Sequence, residues 1–190
     1  EAVTYSLISP SRQEEFLVEE TATENIRLSH PMSEEHSVLR KSLLPSLVDV
    51  VSYHNARKLN DTALFEIGKK YYRIEDTTYE ENLFAGIIAG KAPSTLWQDP
   101  NKKVDFYYVK GVLDLLFNKL RLNVKYLPLE DAPKELHPKR VAKIIVDDKL
   151  AGFVGALHPK YAKDNNLEDT YVFELNLDQI ITLLKEKDYK

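Results

Sequence analysis

Side chains that could hold a metal ion are few, and they do not fall in a metal-binding spacing. The chain has five histidines and no cysteine, which excludes a thiolate zinc site. His30 and His36 are six residues apart around Pro31, and His137 and His158 each precede a proline. None of them forms the i, i+4 pair by which a helix ligates zinc. We therefore expect histidines that hold turns, and we predict no metal site.

Groups for nucleotide binding and covalent catalysis are equally sparse. Gly152 and Gly155 lie in a strand-like run, but the Lys-Ser or Lys-Thr of a phosphate-binding loop does not follow them. Isolated glycines in a strand more often mark a bulge or the close approach of another backbone. No Gly-x-Ser-x-Gly elbow is present. Basic pairs at 69–70, 102–103 and 139–140 are scattered among acids, which favours solvated faces over an RNA groove. The residues alone thus predict no catalytic and no cofactor-binding side chain.

Composition places these residues in an ordinary globular class. The chain has 190 residues, 43% of them hydrophobic, and a net charge of −4. We expect a single domain over 1–190, long enough to bury about 70% of its unfolded surface. The mild acidity argues against a domain whose main task is to coat nucleic acid. No run approaches the roughly 20 apolar residues of a membrane span. The chain begins at Glu1, not Met, so we interpret it as an excerpt or a processed chain.

Two long helices stand out. The first follows Ser42, its predicted N-cap, and continues to about Lys58, with Pro45 tolerated in the first turn. Its apolar stripe has the helical spacing i, i+3, i+4, i+7 and consists of Leu44, Leu47, Val48 and Val51. The second begins after Asp105, its predicted N-cap.

Short β-like runs and tight turns make up most of the remaining chain. Strands are predicted at 2–8, 25–28, 63–68, 71–74, 83–89, 124–127, 141–146, 150–157 and 172–177, with a loop over 91–101. The run 83–89 is continuously apolar and should be buried on both faces. An acidic turn at Asp147-Asp148 indicates a hairpin. Hairpins dominate, which predicts an α+β architecture, an antiparallel sheet with helices packed on one face.

The run 30–45 carries a family resemblance. It reads His-Pro-Met-Ser-Glu-Glu-His-Ser-Val-Leu-Arg-Lys-Ser-Leu-Leu-Pro and closely resembles a segment in the beta subunits of bacterial phenylalanine–tRNA ligases. Landmarks of that family follow in the expected order at 55–57, 64–68, 105–111, 136–142, 152–159 and 173–175. The resemblance covers essentially the whole chain. His30 and Ser46 stand where the family usually has Asn and Gly.

The resemblance implies a fold and a place in a larger enzyme. This region of the beta subunit is similar to a class II synthetase catalytic fold, an antiparallel sheet flanked by helices, that has lost its active site. The family's enzyme is a cytoplasmic heterotetramer of two alpha and two beta chains. It attaches phenylalanine to tRNA(Phe) using ATP and Mg²⁺, and activation occurs in the alpha subunit. The implied partners are therefore the alpha subunit and, through the whole complex, tRNA(Phe), with no membrane.

The residues agree with the loss of a class II site. Such a site needs one arginine on the strand of its second motif and another after a glycine run, because developing charge must meet fixed cations. The strand at 64–68 keeps Glu66, but no arginine occurs from 59 to 68. Ala-Leu-His follows Gly155 where the second arginine is expected. The resemblance thus implies an inactive module without a bound cofactor of its own.

The retained helix suggests what the module does instead. In class II enzymes the helix of the first motif builds the subunit interface, and the resemblance identifies it with 42–58. Candidate interface residues are those of the stripe together with two that widen it: Leu44, Leu47, Val48, Val51, Tyr53 and His54. The helix could instead pack only inside its own domain. Two other functions remain open, an autonomous small ligase or transferase that binds an amino acid or adenylate, and an RNA-binding module.

Overall fold

The computed structural model describes residues 1–18, 23–92 and 102–188. In chain order the elements are β1 Leu7–Ile8, β2 Val38–Leu39, α1 Leu44–Asn55, β3 Thr62–Ile74, β4 Thr77–Ala89, α2 Phe106–Lys119, β5 Val124–Pro128, β6 Leu136–Val146, β7 Lys149–Leu157, α3 Pro159–Asp164, β8 Thr170–Asn176 and α4 Leu177–Asp188. Most of the loop predicted at 91–101 lies outside the described residues. Within the described part of the chain, no helix is long and apolar enough to cross a bilayer.

One six-stranded sheet organises the chain. Its strand order is β3-β4-β8-β7-β6-β5, and every neighbouring pair is antiparallel. A second, two-stranded sheet pairs β1 with β2. The predicted antiparallel sheet is confirmed.

Helices cover both faces of the large sheet, so the prediction that they pack on one face was wrong. Helix α1 packs against β3 and β4 on one face, which we call the α1 face. Helices α2 and α4 pack on the opposite face. The physical reason lies in the central strands, which are apolar on both sides. On β8, Val172 joins the core under α1, whereas Tyr171 and Phe173 join the core under α2 and α4.

The predicted acidic hairpin turn and the predicted N-cap of α2 are both confirmed. Asp147 and Asp148 have φ of 45° and 64°, as a two-residue type I′ hairpin turn requires, and they join β6 to β7. Asp105 caps α2, because its Oδ1 accepts a hydrogen bond from the Tyr108 backbone N–H at 2.7 Å. Ser42 is not the N-cap of α1; Leu43 holds that position.

The predicted strand at 2–8 shrinks to the two residues of β1, and within the run 25–28 only Arg27 forms an isolated bridge, to Val38 of β2. The start of the chain and Glu24 lie along the outer edge of β3, whereas the run 25–28 lies beside β2. The Ala2 N–H donates to the Phe65 carbonyl at 2.8 Å, Glu24 exchanges both backbone bonds with Arg73, and the Tyr71 N–H donates to the Arg40 carbonyl at 2.9 Å. The opposite outer strand, β5, is five residues long and ends at Pro128.

Candidate functional site

Helix α1 divides the predicted interface residues into two groups. Its four aliphatic residues have no solvent exposure and pack against the chain's own sheet; these are Leu44, Leu47, Val48 and Val51. The ring of Tyr53 lies on the outer side and is 57% exposed. His54 is half-buried, with Nδ1 at 3.4 Å from Thr62 Oγ1. Only the outer residues of this helix are available to another protein.

The outer side of α1 presents a cation stacked on an aromatic ring. The guanidinium of Arg57 lies 3.3 Å from the centre of the Tyr53 ring and donates to the Tyr53 carbonyl at 3.2 Å. Arg57 is exposed as well. Asp49, one turn earlier, forms an ion pair with Arg12 at the surface. Tyrosine and arginine are the side chains that most often dominate binding energy in interfaces.

Glu66, the carboxylate retained on the strand of the second motif, is used inside the fold. Its side chain is 2% exposed and forms an ion pair with Arg40, 3% exposed, at 3.0 Å. Thr4 donates its hydroxyl to the other carboxylate oxygen at 2.8 Å. Arg40 also donates from Nε to the Lys69 carbonyl at 3.0 Å. This pair joins the segment before α1 to β3 and leaves neither charge for a ligand.

A cavity of about 190 Å³ lies on the α1 face beside this pair. Its apolar wall includes Phe16 and Phe153, and two basic and two acidic side chains line it: Lys41, Lys70, Glu81 and Glu174. All seven arginines of the sequence fall within the described residues, and none of them lines this cavity.

Most of the cavity charges are already paired. Lys70 and Glu81 form an ion pair at 3.0 Å, and the Tyr72 hydroxyl donates to Glu81 at 2.6 Å. Burial raises the pKa of Glu81, but the hydrogen bonds from Tyr72 and Lys70 outweigh it and hold that pKa below its ordinary value. Lys41 donates to the Thr23 carbonyl at 3.0 Å.

Glu174 fixes the start of α1 to the centre of the sheet. One of its oxygens accepts from the Ser42 hydroxyl and from the Leu43 N–H, both at 2.8 Å. Ser42 Oγ in turn accepts from the Leu44 N–H at 3.1 Å. Burial raises the pKa of Glu174 above its ordinary value, because few solvent contacts remain to stabilise the charge. Its role is thus to hold the helix on the sheet.

Gly152 is required by backbone packing. It has φ of +155°, and a Cβ at this position would lie 2.0 Å from the Glu174 carbonyl oxygen. The interpretation of this glycine as a close approach of two backbones is confirmed.

The two histidines that precede prolines hold turns, as expected. Nδ1 of His137 accepts from the Lys139 N–H at 3.1 Å, and Nδ1 of His158 accepts from the Lys160 N–H at 3.2 Å. Across the described ranges, no group of three or more histidines, cysteines and acids is arranged to hold a metal ion.

Sequence reasoning missed Arg40 and Glu174 as organising residues. A signal for Glu174 was present, since it shares the buried face of an apolar strand with Val172, two positions before it. A lone carboxylate at such a position needs donors from elsewhere in the fold. Arg40 gave no local signal, because its partner lies 26 residues away.

Comparison with known proteins gives a consistent result. A family model described as "Phenylalanyl tRNA synthetase beta chain CLM domain" matches residues 1–177. The chain is 43% identical over 190 residues to the phenylalanine–tRNA ligase beta subunit of Geobacillus kaustophilus, covering 98% of this chain and 23% of that protein. It is 41% identical over 185 residues to the same subunit of Staphylococcus aureus and of Bacillus licheniformis, covering 96% of this chain and 23% of each relative. The chain thus spans about a quarter of the length of these relatives.

Proposed function

Because the chain belongs to the phenylalanyl-tRNA synthetase beta chain CLM domain family, we propose that it is a non-catalytic structural module of a phenylalanine–tRNA ligase. In this proposal, residues 1–190 form one domain of a longer beta subunit. The alpha subunit activates phenylalanine with ATP and Mg²⁺ and transfers it to tRNA(Phe). The module supports assembly of a cytoplasmic heterotetramer of two alpha and two beta chains.

A class II-like origin of the fold is supported by its connectivity. The long antiparallel hairpin β3–β4 follows α1 in the chain. Strand β8 pairs with β4 and leads directly into α4. The six-stranded antiparallel sheet carries helices on both faces. This is the sheet flanked by helices that the resemblance implies.

The absence of arginine from the cavity wall, within the residues that the structure describes, carries the non-catalytic part of the proposal. ATP phosphates and a developing negative charge need fixed cations with unused donors. Lys70 is paired with Glu81, and Lys41 donates to the Thr23 carbonyl. The residues around this cavity therefore do not fit ATP with Mg²⁺, and we place no chemical step here.

The outer side of α1 is our candidate for contact with the alpha subunit. The buried aliphatic stripe fixes the helix on the sheet, and Tyr53 with Arg57 projects from the other side. His54 lies at the border between the two sides. Tyr53 lies in the last turn of α1 and Arg57 just after the helix ends, and their stacked pair has little conformational entropy to lose on binding, which suits it to anchor an interface.

Two measurements test the proposed function. The first mixes the chain with phenylalanine, ATP and labelled pyrophosphate and follows exchange into ATP. We expect no exchange above background without the alpha subunit, and exchange by the chain alone would refute the non-catalytic proposal in favour of an autonomous ligase.

The second measurement titrates the alpha subunit against the full beta chain carrying Tyr53→Ala with Arg57→Ala. Loss of an anchor typically costs about 2 kcal/mol, so the dissociation constant should rise by about 30-fold. Tyr107→Ala is the control, because Tyr107 is 77% exposed on α2, on the opposite face of the sheet. Equal affinity of the double variant and the control would remove the outer side of α1 from the interface.

A further inference from the structure

Two identical tripeptides lie together at one corner of the sheet. His137-Pro138-Lys139 follows the first residue of β6, and His158-Pro159-Lys160 follows the last residue of β7. Leu136 pairs with Leu157 in the β6–β7 ladder. The pairing brings the two turns side by side, although 21 positions separate them in sequence. Neither tripeptide takes part in the cavity or in α1.

A bulge turns the first tripeptide away from the ladder. Leu136 pairs with Leu157, and the next pair is Val141 with Gly155. Four residues of β6, 137–140, therefore oppose the single residue Ala156 of β7. Surplus residues in a bulge leave the ladder, and their side chains point where a regular strand could not direct them.

Both imidazoles present a donor on the outer side of the ring. Nδ1 accepts a backbone N–H in each tripeptide, so the neutral ring carries its proton on Nε2. For neither Nε2 does the structure record a hydrogen-bond acceptor among the residues that it describes. Each ring is thus fixed by its own turn and keeps one N–H to donate.

Three further cations surround these rings. The structure records no ion pair for Lys139, Arg140 or Lys160 in the described part of the chain. Among the residues that the structure describes, the recorded side-chain partner of Arg140 is the Tyr171 hydroxyl, at 3.4 Å. Partial burial lowers the pKa of His137, and the positive charges of Arg140, His158 and Lys139 lower it further, which reflects how close these groups are.

The acids near this corner do not neutralise it. Asp105 and Asp169 act on the Tyr171 hydroxyl, and neither forms a recorded ion pair with Arg140 in the described part of the chain. Glu135 is 1% exposed and is directed inward, where it accepts from the Phe16 N–H at 3.3 Å. By contrast, exposed lysines on the neighbouring hairpins are paired, such as Lys125 with Asp148 at 2.8 Å.

We propose that this corner, formed by the two His-Pro-Lys turns and Arg140, binds the phosphate backbone of RNA. Its donors are spread over two turns, and their side chains line neither of the two cavities recorded for the described residues, which suits successive phosphates of a backbone better than one small anion. Imidazole, ammonium and guanidinium donors all pair with phosphate oxygens. The inference rests on the proposed function, which makes tRNA the RNA in question.

The test measures tRNA binding by the complex of the alpha subunit with the full beta chain, at salt concentrations from 50 to 200 mM. Lys139→Gln with Lys160→Gln removes two charges of the corner. Lys119→Gln with Lys185→Gln is the matched control, because it makes the same charge change at exposed positions of α2 and α4 on the α2/α4 side of the sheet.

Each neutralised phosphate contributes about 0.9 to the slope of log affinity against log salt, so losing two contacts should reduce the slope by about 1.8. Over a fourfold salt range this separates the variant from the wild type by about 12-fold. The control should keep the wild-type slope.

A wild-type slope for the Lys139/Lys160 variant would overturn the inference. An equal fall in the control would overturn it as well, because net charge alone would then explain the effect. Failure of the wild-type beta chain to assemble with alpha would instead contradict the proposed function, and the same slopes measured on the beta chain alone would still decide whether this corner binds RNA.

Discussion

From the buried ion pair of Arg40 with Glu66 we predict a large loss of folding stability in the variant Glu66→Gln. In Glu66→Gln the side chain keeps its shape but loses its charge, so the guanidinium of Arg40 stays buried without a counter-charge. The carboxylate also loses part of its capacity to accept from Thr4, whose hydroxyl and N–H donate at 2.8 and 3.3 Å. Both members of the pair are almost inaccessible to water, at 3% and 2% exposure.

Breaking such a pair on one side costs about 3–5 kcal/mol, because an uncompensated charge remains in a low-dielectric site. That is a large part of the roughly 5–15 kcal/mol by which domains are stable. With a urea dependence of about 2 kcal/mol per molar, the unfolding midpoint should fall by about 1.5–2.5 M.

The assay is urea unfolding followed by circular dichroism on three variants, Glu66→Gln, Arg40→Met and the two combined, with one control. The double variant Arg40→Met with Glu66→Gln should lose less free energy of unfolding than Glu66→Gln alone, since no buried charge is then left unpaired. Glu34→Gln is the control: Glu34 pairs with Arg27 at 2.6 Å, but both side chains are more than half exposed. It should cost at most about 1 kcal/mol. A cost below about 1 kcal/mol for Glu66→Gln, or single-variant costs that simply add in the double variant, would refute the reasoning.

Two other predictions concern glycines and one buried carboxylate. Gly86→Ala places a Cβ 2.3 Å from the ring of Phe173 and should destabilise the chain by about 1–3 kcal/mol. Gly111→Ala lies at an exposed position of α2, where the new Cβ meets nothing within 4 Å, and should stabilise the chain by about 0.5–1 kcal/mol. Thermal unfolding checks both predictions, and melting temperatures that shift in the same direction for the two variants would contradict this account of the space around each glycine. For Glu174, a folded-state pKa above the unfolded value means that the native state binds more protons, so the free energy of unfolding falls as the pH rises through the unfolded pKa towards the folded one. In Glu174→Gln the free energy of unfolding, measured at a series of pH values, should fall less steeply with pH. If wild type and variant gave parallel curves, the buried carboxylate would not be the source of the decline.

Local signals predicted the parts of the fold that local chemistry decides. Two successive acidic residues between β-like runs can form a two-residue turn only with positive φ, and Asp147-Asp148 does so. Asp105 needs only the N–H of Tyr108, three residues later, to cap α2. The antiparallel sheet followed from the same kind of reasoning, because short turns can join only antiparallel neighbours.

Contacts between distant residues decided the rest. The apolar period of α1 predicts one buried side but cannot distinguish the chain's own sheet from a partner. The structure places Leu47 and Val51 against the sheet and leaves Tyr53 outside. Ser42 precedes the N-cap and donates its hydroxyl to Glu174, a partner 132 residues away that no local pattern could identify. The cation cluster at 137–140 and 158–160 became visible only through the β6–β7 register, since each tripeptide alone reads as an ordinary turn.

The two border strands of the large sheet, β3 and β5, affect how readily the protein aggregates in a concentrated solution. An uncovered border strand is a template on which a second molecule can extend the ladder, and repeated extension leads to aggregation. Along β3, backbone groups of residues 2, 24 and 40 take up outward-facing hydrogen bonds of Phe65, Tyr71 and Arg73. At the other border, Pro128 lacks an N–H and stops any added strand after a few residues. Both features hinder growth of the sheet by strand addition at its two borders.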